Sequence, residues 1–356
     1  MTSQSLDLAE LGWNRFFASQ LSTEDLTSLL PVRVVAVHRD KLHVLGAGLD
    51  TLIEPFFATT PGDKATAATA GDWLLVCRET LRPLRLLNRA SVFKRRAAGT
   101  GSQVQLIGAN VDTLFVVTSC NQDFNVPRLE RYLSLASDAG VVPVVVLTKS
   151  DLAADATEFA QKAAALMPGL LVETIDARDR ASVARLLPWC APGQTVALLG
   201  SSGVGKSTLI NTLSGAGDIA TQGVRVHDDK GRHTTTARRL HRLPSGGWML
   251  DSPGMRELQL ADVKDGIEEV FDDLVALAET CRFSDCGHAT EPGCAVQAAI
   301  KSGTLEAARL ARWQKLSAEE ERNAESMGVR RERARSFGKH VKSVMKEKRS
   351  RFTDRS

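Results

Sequence analysis

Residues 200–207 read Gly200-Ser201-Ser202-Gly203-Val204-Gly205-Lys206-Ser207, a G-x-x-x-x-G-K-S run. An apolar stretch, residues 195–199, leads into it, and Thr208-Leu209-Ile210-Asn211-Thr212-Leu213 leads out, so the run sits where a strand would turn into a helix. Glycines in such a turn let backbone N–H groups point inward around a di- or triphosphate. Lys206 can then reach the outer phosphates, and the Ser207 hydroxyl can ligate Mg²⁺ at the helix N-terminus. A plain glycine-rich turn needs neither the lysine nor the flanking elements. Positions 200–208, Gly200 through Thr208, are therefore predicted to cradle a nucleoside triphosphate, with Lys206 also a catalytic candidate.

Three other stretches refine that chemistry. Thr148-Lys149-Ser150-Asp151 ends a strongly apolar run. A carboxylate there can accept from the adjacent N1–H and 2-amino donors of guanine, which adenine lacks, while the Lys149 stem lies over the base. Gly231-Arg232-His233-Thr234-Thr235-Thr236 is a polar loop whose Thr235 hydroxyl could complete a Mg²⁺ shell, which makes Thr235 a catalytic candidate too. Asp251-Ser252-Pro253-Gly254 follows another apolar run, with Asp251 placed to hold Mg²⁺ through water and the Gly254 N–H to meet the γ-phosphate. Position 255 is methionine, and a thioether cannot orient an attacking water. His233 is the nearest candidate for that role, against the plainer reading of a solvated loop histidine.

A separate signal is Cys281-x4-Cys286-x-His288-x5-Cys294. Three thiolates and an imidazole suit tetrahedral Zn²⁺, and a complete ligand set makes one structural ion the expectation rather than a catalytic one. Cys77, Cys120 and Cys190 stand apart and read as small buried residues.

The elements that must position these groups follow from texture. At 356 residues, 43% hydrophobic and 24% charged, the chain has a globular composition with room for several modules, and it contains no signal-like start or bilayer-length apolar run. A cytoplasmic location is the expectation. Residues 1–30 carry an amphipathic helical pattern. Residues 31–95 hold short β-rich runs separated by Gly, Asp and Pro, the texture of a small OB-like β-barrel that either contacts RNA or serves as a scaffold. Arg85, Arg89, Lys94, Arg95 and Arg96 read as a basic exit from it, either a solvated linker or an extension of a phosphate-contacting surface. Residues 96–262 alternate buried strands with helices and are predicted to form a doubly wound sheet. Residues 263–320 enclose the Cys/His set. Residues 321–356 form a basic tail: positions 330–351 are a net +8 in a chain whose total is +3, leaving −5 for the remainder. Disorder, a solvated helix or a grip on RNA phosphates would each account for it.

The order of the motifs is unusual. Base recognition at 148–151 precedes the phosphate loop and both switch-like loops, whereas ordinary GTPases place it last, so the domain reads as circularly permuted. With a barrel before it and a C-x4-C-x-H-x5-C site after it, the chain resembles the RsgA/YjeQ family of bacterial ribosome-assembly GTPases. The resemblance spans residues 30–320. It implies an α/β fold: a circularly permuted P-loop GTPase domain, an N-terminal OB-like β-barrel and a C-terminal helical zinc-binding domain. It further implies GTP hydrolysis with Mg²⁺, slow alone and faster on the 30S subunit, late in that particle's maturation. The 30S subunit and its 16S rRNA would be the partners, with no membrane and a monomeric chain. It assigns guanine contact to Thr148, Lys149 and Asp151, the first switch to Thr234–Thr236, the second to Asp251–Gly254, zinc to Cys281, Cys286, His288 and Cys294, and, where an apolar residue follows D-x-P-G, catalysis to a switch histidine, here His233. Two positions depart from the family pattern: Thr148 stands where Asn is common, and Ile175-Asp176-Ala177 where a Ser-Ala loop usually backs the base. Two other readings stay open, a GTP-gated RNA-binding adaptor with negligible hydrolysis and an ATP-dependent P-loop kinase.

Overall fold

The computed structural model describes residues 6–58, 66–96, 104–215, 238–252, 255 and 263–324. In chain order the described strands are β1 (Leu29–Val37), β2 (Leu42–Gly46), β3 (Leu49–Ile53), β4 (Trp73–Cys77), β5 (Pro83–Leu86), β6 (Val92–Arg96), β7 (Val104–Ala109), β8 (Thr113–Ser119), β9 (Val142–Thr148), β10 (Leu171–Thr174), β11 (Thr195–Gly200), β12 (Arg238–Arg242) and β13 (Trp248–Asp251).

The apolar runs become the parallel segment β10-β9-β8-β11-β13. Both β8 and β11 are buried along their whole length, as strands covered by helices on two faces must be. Alternation sorts their side chains. Leu114, Val116, Val145, Leu147, Ala197 and Leu199 join one core, which includes Leu129 and Leu133 of the Val126–Asp138 helix. Phe115, Val117, Val144, Val146, Val196 and Leu198 face a second core with Val183, Leu209 and Leu213. The loops after β9, β10, β11 and β13 consequently all leave one end of the sheet.

The barrel and this sheet are not separate. β12 pairs antiparallel with β13 on one side and with β1 on the other, at Ala36↔Arg239 and Val37↔Arg238, making one sheet of eleven strands. Strand β12, Arg-Arg-Leu-His-Arg, has a single apolar residue and carries no periodic signal of its own. Beyond it, β3-β2-β1-β4-β5 run antiparallel around Val32, Val34, Leu42, Val44, Ile53, Leu74 and Val76.

The basic stretch after the barrel is structured, not a solvated linker. It contributes β5 and then β6, which pairs with β7. Arg85 pairs with Asp25 at 2.7 Å, and Arg89 grips the fully buried Asp72 through two bonds of 2.7 and 2.8 Å. Arg33 of β1 is buried too, and donates to Leu11 O at 2.6 Å, Asn110 O at 3.2 Å and Thr195 Oγ1 at 2.7 Å. Burial lowers its pKa to about 10, so it stays charged at neutral pH and ties β1 to the parallel part of the sheet.

At the N-terminus two short helices, Arg15–Ala18 and Thr23–Ser28, replace the expected single one. Ser22 and Asp25 form a capping box that starts the second afresh. At the other end, helices Lys264–Val270, Asp272–Glu279, Ala295–Ser302 and Ala307–Ala324 carry the Cys/His set. The first of these crosses the Val126–Asp138 helix so closely that a Cβ at Gly266 would lie 2.1 Å from Ser134 O. No helix among the described residues is long and apolar enough to cross a membrane. The basic tail beyond residue 324 lies outside the described residues.

Candidate nucleotide and metal sites

The phosphate loop is held from three directions. Gly205 has φ +93°, open to glycine and strained for other residues, and its α-carbon faces Thr148 closely enough that a Cβ would sit 3.3 Å from Thr148 Oγ1. Val204 is buried beneath the loop, and its carbonyl accepts the Thr148 hydroxyl at 2.6 Å. Arg128, at the start of the Val126–Asp138 helix, donates to Ser201 Oγ. The Lys206 ammonium closes the loop by donating to Gly200 O at 2.7 Å and to Ser201 O. Ser207 follows at the start of the Lys206–Ser214 helix, where peptide N–H groups and the helix dipole favour an anion.

Thr148 has a role that its place in the T-K-x-D motif did not suggest. It is fully buried, and its side chain serves the phosphate loop. Lys149 next to it adopts a left-handed backbone, φ +57°, which redirects the chain into the short turn bearing Asp151. The Asp151 carboxylate is 28% exposed and accepts from Arg178 at 2.6 Å. Arg178 also binds Asp176, the residue standing in the place of the expected Ser-Ala loop. The hydrogen bonds from the Arg178 side chain, and then the one from its backbone N–H, hold the Asp176 carboxyl below the usual carboxylate range.

On the third loop, Asp251 lies across from Arg239, and its Oδ2 is 3.7 Å from His241 Nε2. Met255 is 3% exposed and belongs to the core that also holds Val263 and Ile267, so its side chain is spent on packing. Gly254, the first-switch residues Thr234, Thr235 and Thr236, and His233 lie outside the described residues. Reading the sequence missed Arg128 and Arg178 because isolated arginines carry no motif; only the altered loop at 175–177 marked that neighbourhood.

The fourth cluster is compact. Cys281, Cys286, His288 and Cys294 place their ligand atoms within 4.8 Å of one another. The Sγ atoms of Cys281 and Cys294 are 3.9 Å apart, and each lies 3.6 Å from His288 Nδ1. A tetrahedral Zn²⁺ with bonds of about 2.3 Å to sulfur and 2.0 Å to nitrogen requires edges of about 3.8 and 3.5 Å, so the donor set fits such an ion. The loop is shaped to suit. His288 takes a left-handed backbone, φ +57°, Glu291 accepts from the Gly287 and Ala289 N–H groups at 2.9 and 2.8 Å, and Cys294 caps the Ala295–Ser302 helix. The His288 backbone favours the Cys286 thiolate, but desolvation and the neighbouring Cys294 and Cys281 thiols outweigh it and push that thiol up to about 11. Three clustered thiols resist ionising together without a cation among them.

The chain as a whole is similar to known proteins. The RsgA GTPase family model matches residues 86–261. A protein of Mesorhizobium japonicum named small ribosomal subunit biogenesis GTPase RsgA is 51% identical over 91% of this chain and 92% of its own. Another, named small ribosomal subunit biogenesis GTPase RsgA 2, from Vibrio parahaemolyticus, is 46% identical over 99% and 96%. Among solved structures, YjeQ from Thermotoga maritima superposes with a TM-score of 0.59 at 21% identity, covering 81% of this chain and 97% of that one. YloQ, described as a circularly permuted GTPase, gives 0.57 at 21%, covering 84% and 97%. Both share the fold expected from the order of the motifs.

Proposed function

Since the chain belongs to the RsgA GTPase family, we propose that it hydrolyses GTP in the service of late maturation of the small ribosomal subunit. The observation that carries this reading is the Thr148–Val204 hydrogen bond, which locks the base-recognition turn onto the phosphate loop. That contact supports a single ligand spanning both, and a guanine nucleotide has groups for each end.

In this reading Gly200 to Thr208 embrace the phosphates of Mg²⁺–GTP, Lys206 offsets their charge, and Asp151 accepts from guanine. Ser207, Thr235 and Asp251 are the groups that would hold the magnesium. Met255 faces the core, so orientation of the attacking water falls to His233 or to the ribosomal partner. Cys281, Cys286, His288 and Cys294 hold one structural Zn²⁺. The partners are the 30S subunit and its 16S rRNA, contacted by the monomeric protein in the cytoplasm.

The deciding experiment is GTP turnover with and without purified small subunits. Stimulation by the subunits is expected, and its absence would favour the second reading that Met255 motivates, a GTP-gated adaptor with negligible hydrolysis.

A further inference from the structure

Asp151 has two carboxylate oxygens, and guanine recognition through N1–H and the 2-amino group needs both. One already has an occupant. Arg178 Nη2 donates to Asp151 Oδ2 at 2.6 Å. The same guanidinium is tethered by Asp176, through Nε to Oδ1 at 3.1 Å and Nη2 to Oδ2 at 3.0 Å, while the Arg178 backbone N–H adds a bond to Oδ1 at 2.9 Å.

The chemistry of the occupant is telling. The edge of guanine that a carboxylate reads is a cyclic guanidine, an N–H beside an amino group on one carbon. Arginine presents the same donors, with a charge in addition. We propose that Arg178 is an intramolecular competitor for the base-recognition carboxylate, a latch that guanine must displace to reach Asp151. This rests on the guanine reading given above and adds the regulation of that site.

Two features make the latch reversible. The Arg178 side chain is 66% exposed, so solvent screens the ion pair and its release costs little. Asp176 keeps hold of Nε and of the backbone N–H, bonds that do not involve Asp151, so Arg178 can let go of one carboxylate and stay anchored on the other. Competition at the base end acts on GTP and GDP alike. It weakens the grip on product as well as on substrate by slowing entry, so a nucleotide that has left is slower to rebind.

The competitor acts on entry, since a bound guanine has already displaced it. Association and dissociation rates of a fluorescent GDP derivative, measured by stopped flow for the wild type and R178A, therefore test the idea. R178A should associate about two- to fivefold faster, the worth of an exposed ion pair, with dissociation unchanged. Unchanged or slower association would overturn the latch, and so would faster dissociation, which would make Arg178 a contact of the bound nucleotide. R178Q carries the same expectation and serves if the alanine variant folds poorly. D151N separates the two layers of argument. If it binds GDP as tightly as the wild type, the guanine reading fails. If it loses GDP while R178A gains nothing in rate, only the latch fails.

Discussion

Asp151 and Asp72 each face an arginine, and their surroundings give the two pairs opposite uses. Asp151 lies near the surface, so its partner can be exchanged. Replacing it with Asn turns an acceptor into a donor, and preference should move from guanosine to xanthosine nucleotides, as competitive nucleotide titration would reveal; an ATP-directed kinase site would not respond in this way. Asp72 is fully buried and held by Arg89, so its partner is fixed. R89A should lower stability by about 3–5 kcal/mol in denaturant unfolding, because it strands a buried charge. Burial pushes the Asp72 carboxyl up from 3.8, opposed by the Arg89 bonds. A raised folded-state pKa means the native protein holds the proton more tightly than the unfolded chain. The stability this contributes is complete below 3.8 and is lost as pH rises through the folded pKa. The difference in unfolding free energy between wild type and D72N should accordingly move in favour of the wild type as pH falls toward 3.8. A difference independent of pH would rule out this account of Asp72. His233→Ala should reduce GTP turnover with affinity almost unchanged, and normal turnover in that variant would leave the water to be oriented by the ribosomal partner.

At the scale of elements, the loop at 281–294 and its helices are predicted to depend on a bound metal. Cys294 both belongs to the donor set and caps the Ala295–Ser302 helix, so removing the ion leaves crowded thiols at a helix start. Chelation should lower the melting temperature and release about one equivalent of zinc per chain, whereas freshly purified protein without zinc would refute the assignment. How legible such elements were in the sequence depended on what formed them. β8, β9, β11 and β13 are buried apolar runs and could be read directly, as could the fold class, because motif order is a property of sequence. β12 could not, since Arg238–Arg242 is a strand only through its partners β1 and β13. Arg89 looked like part of a solvated run, and only the buried position of Asp72, remote in sequence, gives it a structural role. The Cys/His set was legible because its ligands are close along the chain. The Arg178 latch was not, because it depends on the distance between two loops.

In the whole molecule, two routes join the phosphate loop to the helices that carry the Cys/His set. One route is covalent, from Asp251 through the buried Met255 to the Lys264–Val270 helix. A second runs through the Val126–Asp138 helix. Its Arg128 touches Ser201, its buried Glu130 accepts from Arg312 at 2.9 and 2.8 Å, and its Arg131 meets Glu319 at 2.6 Å. Arg309 reinforces the joint: its Nη1 lies 3.5 Å from Glu130 Oε1, while Asp273 holds the same guanidinium at 2.7 Å. If nucleotide state governs subunit binding, a non-hydrolysable GTP analogue should support tighter binding to purified 30S subunits than GDP does, by at least about fivefold in co-sedimentation. Equal affinities would sink the switch. The Arg131–Glu319 pair is half-exposed, so E319A can loosen the second route without stranding a buried charge. Rates of unstimulated GTP hydrolysis should stay at the wild-type level in E319A, because neither partner touches the nucleotide loops. Its preference for the GTP-bound state on the subunit should shrink. A preference equal to that of the wild type would assign the coupling to the covalent route alone, through Met255 and the helix that follows it.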